Sequence, residues 1–147
     1  MSDQKNKAEL HHIGVAVKAI EPVKKCLEAA TGVSFEESED VTKQGVRVTF
    51  AEFANGSKIE LVQATQDHSP QFAMLPHPIR SFVEKHGVGL HHLAIKVSDI
   101  DESIARVRAE GVRTLTDQPE SGALGRRAIF LNPLDCQGLL LELFEEK

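Results

Sequence analysis

Two histidines and two glutamates recur at matched places in this chain. His12 stands in Leu10-His11-His12-Ile13-Gly14-Val15-Ala16-Val17, and His92 stands 80 residues on in Leu90-His91-His92-Leu93-Ala94-Ile95-Lys96-Val97. Leu, His and His recur in order, apolar residues recur at three further places, Gly14 becomes Ala94, and only Ala16 against Lys96 differs in kind. Glu60, in Ile59-Glu60-Leu61, is answered 82 residues later by Glu142, in Leu141-Glu142-Leu143. Imidazole is the commonest metal ligand, and a carboxylate in an otherwise apolar strand costs free energy unless something compensates it. One such residue alone reads as a satisfied structural histidine or a solvent-exposed glutamate. Four of them at equivalent places in two copies read as a two-nitrogen, two-oxygen donor set. That set suits a divalent metal with open positions, whereas a closed structural zinc more often uses thiolates.

Alternation decides which histidine of each pair belongs to the set. Successive side chains of a strand point to opposite faces. His11, Ile13, Val15 and Val17, with His91, Leu93, Ile95 and Val97, form apolar faces that should pack on helices. His12, Gly14 and Ala16, with His92, Ala94 and Lys96, form the other faces, where small residues leave room for an imidazole. His12 and His92 are therefore the site candidates, and His11 and His91 belong near the core edge.

The elements that must carry these residues also come twice, and internal repetition marks a duplicated module. After the first histidine strand, residues 19–32 predict a helix, with Pro22 in its first turn and Gly32 as its stop. Strands are predicted at 33–37, 45–53 and 58–64, the last two joined by an Asn55-Gly56 turn. In the second half, Asp99 caps a helix that ends at Gly111, followed by strands near 112–115, 126–131 and 138–144. The expected fold is α+β: two tandem βαβββ modules, about 8–66 and 88–147, paired into an open mixed β-sheet cleft with helices outside, a single domain over 1–147. The connector 67–87 holds Pro70, Pro76 and Pro78, ends in a short helix at 79–85, and serves as either a lid or a solvated bridge.

Composition narrows the partners. The net charge is −5, and Trp and Tyr are absent, so a general nucleic-acid binder is excluded. No apolar run approaches a membrane span of about 20 residues, and the polar start lacks a signal core. A cytoplasmic protein with free Cys26 and Cys136 is expected.

Further stretches support a family resemblance: Gln44-Gly45-Val46-Arg47-Val48, Lys58-Ile59-Glu60-Leu61, Gly89-Leu90-His91-His92, Gly122-Ala123-Leu124-Gly125 and Leu140-Leu141-Glu142-Leu143. With the paired modules, they resemble the vicinal oxygen chelate superfamily (glyoxalase and bleomycin resistance proteins) and, within it, the methylmalonyl-CoA epimerases. The resemblance covers residues 10–145. It implies His12, Glu60, His92 and Glu142 as ligands of one divalent ion (Co²⁺, Ni²⁺, Mn²⁺ or Zn²⁺). It also implies an acyl-CoA substrate, a homodimer, and 1,1-proton transfer between methylmalonyl-CoA epimers through a metal-stabilised enolate. The chain has Leu124 and Asn132-Pro133-Leu134 where the family carries His and His-Pro-Lys, and it adds residues 71–78. Arg126 and Arg127 remain as candidate anion contacts, since Arg suits phosphate recognition. Val48 fills a place where some relatives carry a catalytic glutamate, and Glu52 lies about 13 Å further along the strand. Glu142 and Glu60 are left as the acid-base pair, each released from the cation when it works. The alternatives are a glyoxalase-I-like isomerase or another chelate-type enzyme, and a non-catalytic binder of the resistance type.

Overall fold

The two repeated stretches form strands β1 (Glu9–Val17) and β5 (Gly89–Lys96) of the computed structural model, which describes residues 8–70, 74–121 and 126–146. Between and after them come α1 (Ile20–Thr31), β2 (Glu39–Val41), β3 (Val46–Glu52), β4 (Lys58–Ala64), α2 (Pro78–His86), α3 (Ile100–Ala109), β6 (Glu120–Ser121), β7 (Arg127–Phe130) and β8 (Leu140–Glu145). The chain is thus α+β, with βαβββ written twice. It packs as two compact units, one of Ile13–His91 and one of residues 8–12 with 92–146, so the division falls inside β1 and β5. Among the described residues no helix is long and apolar enough to cross a membrane.

The strand order repeats as well. The first unit runs β2-β3-β4-β1 and the second β6-β7-β8-β5, each module placing its first strand beside its fourth. Hairpin pairs are antiparallel, and β5 with β8 is parallel, giving a mixed sheet.

In the first unit, Val15 and Val17 pack with Ile59, Leu61 and Ala51 under Ile20, Val23 and Leu27 of α1. Leu61 is fully buried, which is worth roughly 1.5–3 kcal/mol. Connector helix α2 lies on the opposite face, where Ile79 and Val83 meet Ala16, Val46 and Val62. His77, buried, caps α2: its Nδ1 accepts from the N–H of Ile79 at 3.1 Å, and its Nε2 meets the Gln44 carbonyl at 2.8 Å. Gly45, at φ +64°, sits so close to Gln66, Pro70 and His77 that a Cβ would collide with them. In the second unit, α3 packs Ile100 and Ile104 on Ile95, Ile129, Leu141 and Leu143.

Two strands are displaced from their expected places, in the same sense in both modules. Residues 33–37 form no paired strand, and β2 begins at Glu39. Their donors go elsewhere: Val33 N–H to Thr31 Oγ1, Phe35 N–H to the Glu28 carboxylate, and Glu36 N–H to the Phe50 carbonyl. Residues 112–115 make only the Thr114–Leu131 bridge, and β6 comes later. There the Asp135 carboxylate takes both the backbone N–H and the guanidinium of Arg113, which holds its pKa down at about 2. In the first module the segment buries Phe35 without joining a ladder.

Helices α1 and α3 are each tied to the fourth strand of their own module by one side chain. Gln63 Oε1 of β4 accepts the N–H of Ile20, and Glu145 Oε2 of β8 accepts the N–H of Ile100, both at 2.9 Å. Glu145 Oε1 also holds Arg127 at 2.9 Å. Gln63→Leu should cost about 1–3 kcal/mol in urea unfolding, the penalty of an unmet donor. Glu145→Leu should cost more, because it also strips Arg127 of a partner. Equal losses would show that the Arg127 contact adds nothing.

Candidate metal centre

His12 and His92 are both buried and belong to the same unit. Their Nε2 atoms lie 3.3 Å apart, and their rings stand edge to face at 5.3 Å. Phe130 of β7 flanks His92, ring to ring at 6.4 Å. The structure thus brings together the two imidazoles chosen by alternation.

Glu142 lies on the same sheet face as His92. In the parallel β5–β8 ladder His92 pairs with Leu140 and Ala94 with Glu142, and paired residues point the same way. Phe130 is its partner across β7. The opposite face of β8, through Leu141 and Leu143, is buried under α3. Glu142 thus shares the face of His92.

Glu60 belongs to the other unit. On β4 it pairs with Phe50 and, by alternation, shares the face of Val62 and Ala64, the face that α2 partly covers. Val48 packs into that same cluster as an apolar residue. Glu52, at the end of β3, is exposed opposite Lys58.

The flanking histidines differ. His91 packs edge-on against Phe82 of α2 at 5.0 Å, a core-edge position as expected. His11 packs edge-on against Phe144 at 4.8 Å, but its Nδ1 also meets Nδ1 of His12 at 2.8 Å. Strict alternation would separate neighbours in a strand; the two side chains meet at the ring nitrogen nearest the backbone. The adjacency of two histidines was the one signal for this contact.

The two arginines have separate roles. Arg127 grips Asp101 of α3 at 3.1 Å through two nitrogens and Glu145 at 2.9 Å. Its pKa is raised by hydrogen bonds to Asp101 and then Glu145. It is a strap between helix and sheet rather than an available anion contact. Arg126 lies over the buried Phe144 ring at 4.5 Å and pairs with Glu146, which Lys96 also approaches at 3.5 Å. The hydrogen bond from Arg126 is the chief cause that lowers the Glu146 pKa. Asn132, where the family carries His, caps a short 3-10 turn (Pro133–Cys136) by accepting from the N–H of Leu134 at 3.0 Å, and Leu134 is exposed. Residues 122–125, including Leu124, and 71–73 of the added segment lie outside the described residues.

The profile of the glyoxalase/bleomycin resistance protein/dioxygenase superfamily matches residues 11–130, and the chain belongs to that superfamily. The chain is similar to the uncharacterized protein YqjC of Bacillus subtilis, 33% identical over 138 residues that cover 94% of this chain and 92% of that one. It is similar to the ethylmalonyl-CoA/methylmalonyl-CoA epimerase of Cereibacter sphaeroides, 32% identical over 136 residues covering 91% and 95%. A solved structure of methylmalonyl-CoA epimerase in complex with methylmalonyl-CoA and ammonium matches with TM-score 0.78 at 30% identity over 96% of each chain.

The imidazole pair fits a divalent ion. Metal–nitrogen bonds of about 2.0–2.1 Å, opened by roughly 90–110°, put two ligand nitrogens about 2.9–3.4 Å apart. The observed 3.3 Å lies in that interval. His12→Ala and His92→Ala should each abolish tight Co²⁺ or Ni²⁺ binding in calorimetric titration, where the wild type takes about one ion per chain. His91→Ala should keep the ion and lose thermal stability against Phe82. Retained binding in His92→Ala, with loss in His91→Ala, would reverse the assignment.

Proposed function

We propose that this chain is a metal-dependent epimerase that interconverts methylmalonyl-CoA epimers by 1,1-proton transfer. The observation that carries the reading is the buried His12–His92 pair with Glu142 on the same face as His92, in a member of a superfamily whose relatives here include named epimerases. The ligand set is His12, Glu60, His92 and Glu142; the matched positions of the duplicated sequence support the two glutamates. Residues 1–147 act as one domain of two modules joined by the connector, a reading supported by the repeated strand order.

A divalent ion, when bound, supplies a Lewis acid that draws charge from the thioester carbonyl and acidifies the carbon beside it. The chain does the proton work. The Glu142 carboxylate removes the proton from the carbon between the two carbonyls, and the Glu60 carboxyl returns one to the opposite side of that carbon. In the reverse direction the two exchange roles, as inversion of a centre requires. Val48 holds no proton, and Glu52 is exposed at the strand end. Arg126, held over Phe144, is a cation that can meet an anionic part of the substrate, with Glu146 as the partner it releases.

Methylmalonyl-CoA incubated with the ion-loaded protein in deuterated water should exchange the proton between its carbonyls. Glu142→Gln should keep appreciable ion binding and lose about 10²–10⁴-fold in exchange, the usual share of a positioned base. Near wild-type exchange in that variant would place the base elsewhere. No exchange in the wild type with any divalent ion, together with turnover of a glutathione hemithioacetal, would favour a glyoxalase-like reaction.

Arg126→Ala should raise KM with little change in kcat, because a remote anion contact binds ground and transition states alike. Arg127→Ala should instead lower thermal stability with KM unchanged. Steady-state kinetics beside a thermal melt separates the two, and the opposite pattern would exchange their roles.

A further inference from the structure

A neutral imidazole carries one N–H, and it can ligate a cation only through the other nitrogen. Which nitrogen is free depends on what the N–H meets. His12 is in contact at both ends: Nε2 faces His92 Nε2 at 3.3 Å, and Nδ1 faces His11 Nδ1 at 2.8 Å. At the short contact one ring must donate and the other accept. If His11 donated there, His12 would carry its proton on Nε2, directed at His92, and that nitrogen could not ligate. If His12 donates, its Nε2 lone pair is presented where a ligand is needed.

We infer that His11 is a positioning residue, whose Nδ1 accepts the Nδ1–H of His12 and so fixes the tautomer in which a lone pair on His12 Nε2 can bind a divalent cation. Its own ring is held for this. It stands edge-on to Phe144 at 4.8 Å and 84°, and Phe144 is fully buried with Arg126 over its ring. The His11 and His12 rings cross at 74° with centroids 5.1 Å apart. His91, at the same place in the second copy, is turned to Phe82. One residue type at equivalent places of the repeat therefore has two roles. Partners of this kind fix ring orientation and raise ligand basicity.

The inference rests on the proposed use of His12 Nε2 as a ligand, and the test separates the two. Long-range proton–nitrogen correlation spectra of ¹⁵N-labelled, metal-free protein at about pH 8.5, well above the ordinary imidazole range, report the tautomer of His12. The wild type should give Nδ1–H. In His11→Leu the preference for that form should be lost, and Co²⁺ affinity by calorimetry should fall by about 10–100-fold, the usual loss on removing such a partner. His11→Asn, whose Oδ1 stands near the lost Nδ1 and can accept, should restore both. An Nε2–H tautomer in the wild type overturns the proposal, as does wild-type affinity in His11→Leu. Should His11→Leu fail to fold, the wild-type tautomer decides alone. A His12 Nδ1–H tautomer held by His11 in a protein that binds no divalent ion would reject the metal reading and leave the positioning role standing.

Discussion

The first backbone N–H of a helix has no partner within the helix, and in this chain both modules supply one to α1 and α3. Gln63 meets Ile20 and Glu145 meets Ile100 from equivalent places on β4 and β8. Each acceptor lies three residues after a candidate glutamate, Glu60 or Glu142, and an odd separation along a strand means opposite faces. A single register therefore anchors a helix on one side of the sheet and presents a carboxylate on the other. A slip of one residue would send Glu142 toward α3 and remove the acceptor from Ile100 at once. The chemistry of the site face is thus tied to helix packing on the reverse face, although the two share no side chain.

Much of this was legible in the sequence because duplication writes it twice. The βαβββ order, the helix ends at Gly32 and Asp99, and the choice of His12 and His92 over their neighbours follow from period-two alternation read in two copies. Residues 33–37 misled for a physical reason: Phe35 is buried whether or not its backbone joins a ladder. Backbone donors there go to Thr31 and Glu28, which hydropathy does not register. The Gln63–Glu145 correspondence was present at the same spacing as Glu60–Glu142, yet a polar residue at a strand end does not declare its target. The same is true of His11, whose contact with His12 depends on ring rotation.

Arg127 illustrates how a basic residue beside a candidate site can serve the scaffold. With Asp101 and Glu145 it closes a three-part ion cluster over the start of α3, half-exposed, where each pair alone would be worth little. Arg126, one residue earlier and on the other face of the sheet, is stacked on an aromatic ring with its charge shared by an exposed glutamate. Adjacent positions thus divide fixed and exchangeable charge between the two sides of one strand.

The division of the packed units inside β1 and β5 bears on the order of folding. Ile13–His91 is contiguous in sequence and can condense from contacts made along its own length. The other unit needs residues 8–12 to rejoin a segment that begins 80 positions after His12. Closing a flexible loop of that length costs roughly 4 kcal/mol of chain entropy. Non-local contacts of this kind are slow, because the closure cost precedes the reward. Condensation of the intervening segment shortens the effective loop, so the imidazole pair is assembled most readily after its surroundings. The imidazole pair thereby acts as a completion mark, formed when residues 8–12 meet those that follow the connector.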